Sequence, residues 1–273
     1  MTMTATHPDV TRPTGVLANW RIYAMDGALL GIFMISACVS VVVLEHPSSP
    51  IHQAIGTGFV RRAIIGALMG LTAVGLVYSP WGKRSGAFMN PAMVLCFLRL
   101  GRLKPLDAAG YIAGQFIGGT MGVLISSFAL GSLVSHPAVN YAATLPGNGG
   151  LFPAWLGEFA IAALMITVVM GVNKIATLAR FTGFFAAGLV FLYITFEAPI
   201  SGMSLNPART FSSAIVANLW TGWWIYFTAP VLGMLAGTEL HRLLGSEHQR
   251  LCGKVNHSQN VACFVKCGCV ERF

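Results

Sequence analysis

Two short stretches carry the most legible chemistry: Ser85-Gly86-Ala87-Phe88-Met89-Asn90-Pro91-Ala92 and Ser201-Gly202-Met203-Ser204-Leu205-Asn206-Pro207-Ala208-Arg209. Each sets Asn, a favoured N-cap, before Pro, which is favoured at the first helical position, and the preceding Ser-Gly lets the chain turn. An Asn side chain has two uses at such a place: its oxygen caps the helix, and its NH₂ donates to an oxygen of another molecule. One Asn alone reads as a cap, but two copies in matching places allow both roles together. Two helix starts brought face to face would present unpaired N–H groups and about half a positive charge each, an arrangement that repels cations and favours acceptor atoms.

The elements that must position these cassettes are apolar. Charged residues make up 10% of the chain and hydrophobic ones 55%, with 31 glycines and a mean hydropathy of +0.69. A soluble domain is about one quarter charged, so the composition excludes an ordinary soluble fold and implies a multi-pass membrane protein. The apolar runs separate into Ile22 to Leu44, Ala63 to Val77, Leu106 to Leu133, Ala154 to Val172, Phe181 to Phe196 and Trp220 to Leu240. Most approach the ~20 residues needed to cross the hydrocarbon as a helix. The first is too long for a signal peptide, carries Asp26 and lacks a small-residue cleavage site, so it reads as a retained span. Trp20, Trp220, Trp223 and Trp224 fall near span ends, where interfacial aromatics belong.

Of the 17 Lys and Arg, only Arg61, Arg62 and Arg209 would fall outside if the N-terminus is cytoplasmic. The positive-inside bias therefore predicts that both termini are cytoplasmic, in the inner or plasma membrane, and it accounts for the net charge of +8 without a nucleic-acid partner.

Each cassette follows the second span of a three-span unit and precedes an apolar segment too short to span, Met93 to Leu100 or Thr210 to Ala217. The units run from about 19 to 133 and from about 151 to 244. Because each holds an odd number of spans, the second enters inverted, and inverted repeats share a site near the midplane. The predicted fold is an all-α membrane protein with six transmembrane helices and two re-entrant half-helices in an inverted repeat. Residues 1–18 precede this channel domain of residues 19–244, and the Cys-containing 245–273 reads as a disordered cytoplasmic tail.

Paired Asn-Pro-Ala cassettes within six spans resemble the major intrinsic protein family, the aquaporins and aquaglyceroporins, over nearly all of 19–244. The resemblance implies a homotetramer with a pore in each subunit, for water or a small neutral solute, lined by Asn90, Pro91, Ala92, Asn206, Pro207 and Ala208. A central water committed to both asparagines could not easily relay a proton. The resemblance also implies a second constriction, matched here by Arg209, Met203, Ile194 and either Met69 or Gly70. Ile194 stands where water-selective members usually have His, and Phe88 where many have His, departures that keep small solutes such as glycerol, urea, ammonia or hydrogen peroxide as alternatives to water, the favoured permeant. Thr210, Ala214 and the aromatic pair Tyr226-Phe227 pull back toward water.

Arg209 in a membrane segment requires a wet path or a partner, and Glu197 is the candidate partner. Asp26 and Glu158 open the first span of each unit and read either as a proton relay or as structural carboxylates that accept backbone N–H groups of the re-entrant loops; their matched placement favours the latter. Gln115 reads as a similar polar support or as a bond between helices. Gly110, Gly114, Gly118 and Gly122, like Gly233 and Gly237, form helix-packing stripes. Cys252, Cys263, Cys267 and Cys269 in the tail lack the paired knuckles of a zinc site. The sequence calls for no cofactor or resident metal. An inverted-repeat transporter would need a coupling-ion site beside the cassettes, and an enzyme would need a nucleophile with a base; neither is evident, so an enzyme is not expected.

Overall fold

The computed structural model describes residues 16–244 apart from 176, so the N-terminal 1–15 and the cysteines of the tail lie outside the described residues. Eight main helices follow in order: α1 (Val16–Glu45), α2 (Gly58–Tyr78), α3 (Pro91–Arg99), α4 (Pro105–Leu130), α5 (Leu151–Lys174), α6 (Thr182–Leu192), α7 (Pro207–Ala217) and α8 (Trp223–Leu244). α6 runs on through a π-helical turn, Tyr193–Glu197, and a last turn, Ala198–Ser201. Five stretches are long and apolar enough to cross a membrane, and α8, 22 residues long, extends roughly 33 Å at 1.5 Å per residue. The half-helices α3 and α7, at 9 and 11 residues, cannot cross.

Several span boundaries differ from those read in the sequence, for physical reasons. Helix α1 begins by Val16, inside the segment assigned to 1–18, because Asn19 and Arg21 interrupt its first apolar turn and hide it from the run that starts at Ile22. The third span ends at Leu130, not Leu133, since Gly131 (φ 55, ψ −130) breaks the helix before a separate turn, Ser132–Ser135. The fifth continues to Ser201, five residues past Phe196, because Glu197 and Pro199 stay helical within the π-helical extension. The half-helices start directly behind their asparagines, at Pro91 and Pro207, as N-capping dictates.

The two units interlock. The most extensive contacts join α1 to α4 and α5 to α8, while α3 packs against α8 and α7 against α4, so each half-helix rests on the other unit. Glycine makes the first of these pairings possible. A Cβ on Gly118 would overlap the Gly27 carbonyl, one on Gly122 would overlap that of Gly31, and one on Gly110 would strike the Tyr23 ring. On α8, Gly233 and Gly237 meet Phe159, Ala162 and Ile166 of α5 in the same way. Gly118→Ala is therefore expected to lower stability by about 1–3 kcal/mol through overpacking. Gly171→Ala on α5, where a Cβ meets nothing within 4 Å, is the control and gains helix propensity. Thermal unfolding in detergent, run on both variants, checks the contrast.

Candidate functional site

The two cassettes meet. Asn90 caps α3, its Oδ1 accepting from the Ala92 N–H at 2.9 Å, and Asn206 caps α7, accepting from Ala208 at 3.0 Å and Arg209 at 3.2 Å. Each amide then crosses to the other loop: Asn90 Nδ2 donates to the Leu205 carbonyl at 2.8 Å and Asn206 Nδ2 to that of Met89 at 2.7 Å. One hydrogen of each NH₂ is thus used to join the loops, and a second remains. The prolines at N1 and the fully buried Ala92 and Ala208 pack among the helices rather than lining open space, unlike the two asparagines.

The loops reach this meeting point through strained backbone. Ala87 and Met89 in one, and Met203 and Leu205 in the other, hold φ of 53°, 48°, 50° and 59°, a left-handed conformation that costs non-glycine residues of order 1–3 kcal/mol each. Two buried carboxylates stabilise it. Asp26 accepts from Ser85 Oγ and Phe88 N at 3.0 Å, Met89 N at 2.9 Å and Gln115 Nε2 at 2.7 Å. Glu158 accepts from Ser201 Oγ at 2.9 Å, Ser204 N at 2.5 Å and Leu205 N at 2.7 Å. The seryl oxygens in turn accept from Ala87 N and Met203 N. Tyr111 and Tyr226 donate to the carbonyls of Ser85 and Ser201.

Sequence reasoning singled out the carboxylates but not the structural parts of these serines and tyrosines. One signal was available: Tyr111 follows Asn90 by 21 positions and Tyr226 follows Asn206 by 20, so the tyrosines hold near-matching places in the repeat.

One continuous cavity of about 570 Å³ passes the asparagines. Along α2 its lining runs from Gly58 to Val77, roughly 28 Å at 1.5 Å per residue, nearly the whole helix. Glu45, Arg61 and Arg62 stand at one end; Arg61 is tied to Glu45 at 3.0 Å. Met69, Ile194, Met203 and Arg209 also line the cavity. Of the two sequence alternatives on α2, Met69 faces the cavity and Gly70 does not. Gly70 turns toward Ala187 of α6, where an added Cβ would come within 3.0 Å of the carbonyl, because the smaller residue is needed at the helix contact.

The Arg209–Glu197 ion pair considered from sequence is absent among the described residues. The Arg209 guanidinium has no hydrogen-bond or ion-pair partner there, and its buried Nη1 is left free to donate. Chemically, the site offers acceptors a fixed cation and two asparagine amides, set in apolar walls. Such a row can donate hydrogen bonds to neutral, oxygen-bearing molecules.

Residues 24–241 match the family model described as Major intrinsic protein. Among similar proteins, a probable aquaporin NIP-type of Nicotiana alata is 33% identical over 233 residues, covering 78% of this chain and 84% of that one. Aquaporin NIP1-2 of Oryza sativa subsp. japonica is 32% identical over 236 residues, covering 85% and 74%. In three dimensions the fold is similar to the aquaglyceroporin of Plasmodium falciparum, with a TM-score of 0.68 at 15% identity, over 82% of this chain and 96% of that one.

Proposed function

This chain belongs to the major intrinsic protein family, and from that premise we propose that it is a passive water channel that excludes protons and other cations. The coarser statement, an integral membrane channel for water or small solutes rather than an enzyme, follows from the family. The observation that carries the finer reading is the crossed pair of asparagines at the facing ends of α3 and α7. Their remaining N–H groups donate to a passing water's oxygen, and the two half-helix dipoles oppose any cation at the same point. A second barrier lies at Met69, Ile194, Met203 and Arg209, where a guanidinium without a protein partner gives a passing oxygen a donor and a cation a like charge.

In this reading Asp26 and Glu158 are scaffold groups. Each accepts three or more hydrogen bonds and gives none, the bonding of a settled carboxylate rather than of a proton carrier. The channel domain comprises the two inverted units. The distribution of Lys and Arg supports both termini in the cytoplasm, and family resemblance supports a homotetramer in a lipid bilayer.

One observation favours a small neutral solute such as glycerol as a second permeant. Ile194 gives the constriction an aliphatic wall beside two methionines, which suits a carbon backbone better than a polar wall does. Osmotic shrinkage of proteoliposomes decides between the permeants, first against an impermeant osmolyte and then against glycerol. Non-saturating water flux with a low activation energy is expected; saturable, proton-coupled uptake would overturn the channel reading. Ile194→His is expected to lower the ratio of glycerol to water flux by roughly tenfold, on the order of the 1–3 kcal/mol carried by one apolar contact.

A further inference from the structure

Glu197 lies in a membrane-spanning helix and is 8% exposed; among the described residues neither of its carboxyl oxygens has a hydrogen-bond partner within 3.5 Å, and the Ser201 hydroxyl is the donor near enough to interact with it. It closes the π-helical turn Tyr193–Glu197, and the Tyr193 hydroxyl of that turn is buried and unpartnered too. Turns of this kind inside α-helices frequently mark functional positions. The carboxyl is lodged against α5, where a Cβ on Gly157 would lie 2.6 Å from Glu197 Oε1. The next residue on α5 is Glu158, which accepts three hydrogen bonds from the second loop and donates none, so it carries the negative charge of this region. A second carboxylate charge beside it costs several kcal/mol inside the membrane.

We propose that Glu197 keeps its proton at neutral pH and acts as a positioning residue for the constriction, whose side chains collapse into the passage when that proton is lost. The route is local. Ser201 follows four positions later, on the same helical stretch, and its hydroxyl both donates to Glu158 and accepts the Met203 N–H at 3.0 Å. An ionised Glu197 competes with Glu158 for the Ser201 proton, and the turn that carries Met203 into the cavity loses its tie. Ile194, three residues before Glu197 in the same turn, shifts with it. The other titratable groups around Glu197 are Glu158 on α5, Tyr193 on its own turn and Tyr226 on α8, bonded to the Ser201 carbonyl. The arginines of α2 and α7 nearest this region, Arg61, Arg62 and Arg209, form no ion pair with it.

The proposal rests on the channel reading, and its test separates the two. Water flux through the full-length protein in proteoliposomes is measured while pH on both sides is raised together from mildly acidic to mildly alkaline. The wild type is expected to lose flux several-fold along a single-proton curve, while Glu197→Gln stays flat at the acidic wild-type level and Glu197→Ala is flat but lower. The infrared carbonyl band of a protonated carboxyl is read in parallel, present in the wild type at neutral pH and missing from Glu197→Gln. A flat wild-type profile, the same fall in Glu197→Gln, or no such band overturns the proposal. A wild type without water flux at any pH overturns the channel reading instead, and the infrared band still decides the proton.

Discussion

Replacing Glu158 by Ala is expected to leave little folded protein. The substitution strands the Ser204 and Leu205 N–H groups and the Ser201 hydroxyl in a fully buried place where no water competes to satisfy them. Each unpaired buried donor costs about 1–3 kcal/mol, so the three together reach roughly 3–9 kcal/mol, comparable with the ~5–15 kcal/mol that holds a typical domain together. The strained residues Met203 and Leu205 also lose what holds them left-handed. Detergent-solubilised yield and the midpoint of thermal unfolding measure the loss. Glu158→Gln provides the contrast, because it keeps the shape and one acceptor oxygen while removing the charge. It should fold with reduced stability and still conduct water. Flux abolished in a folded Glu158→Gln would instead favour the proton-relay reading.

Arg209→Val is expected to retain water flux and to open the pore to what it now rejects. The guanidinium makes no hydrogen bond or ion pair among the described residues, so its removal breaks none and the protein should fold. A monovalent cation passing ~6 Å from a fixed charge is opposed by roughly 3 kcal/mol at an effective dielectric of 20, a factor of about one hundred in rate. Cation leak should rise by up to that factor, limited by the half-helix dipoles that remain at the asparagines. Glycerol flux should also rise, since the long side chain no longer narrows the passage. A pH-sensitive dye inside the vesicles reads the proton leak, and light scattering reads the solute. Unchanged leak and unchanged glycerol entry would remove Arg209 from the constriction.

What the sequence reveals about this fold depends on how far apart the interacting residues are. The cassettes are local: Asn before Pro specifies a helix start wherever it occurs, and the observed N-caps at Asn90 and Asn206 follow from that alone. Long apolar runs locate spans, and the glycines of α4 disclose a close helix contact, because each signal is written within one segment. The crossed amide bonds join residues more than one hundred positions apart, with backbone carbonyls as acceptors, and a carbonyl leaves no trace in residue type. The bonds from Tyr111 and Tyr226 to the carbonyls of Ser85 and Ser201 span only 26 and 25 positions, but they too end on backbone carbonyls. The choice between Met69 and Gly70 turned on one extra residue in a loop, and only the rotation of α2 against Ala187 decides which of them meets the cavity. The π-helical turn at Tyr193–Glu197 was invisible for a related reason: it changes which way Ile194 and Glu197 point without altering the apolar character of the run.

The exchange of half-helices also bears on synthesis. Helix α3 is translated early, yet the surface it rests on belongs to α8, the final helix described. The first half of the molecule therefore waits, with its loop carbonyls and capped helix end lacking their eventual neighbours, until α8 has been made. A nascent chain arrested before Trp223 would expose that unfinished seam to lipid and quality-control proteases, so the early half-helix gains its support only when α8 arrives.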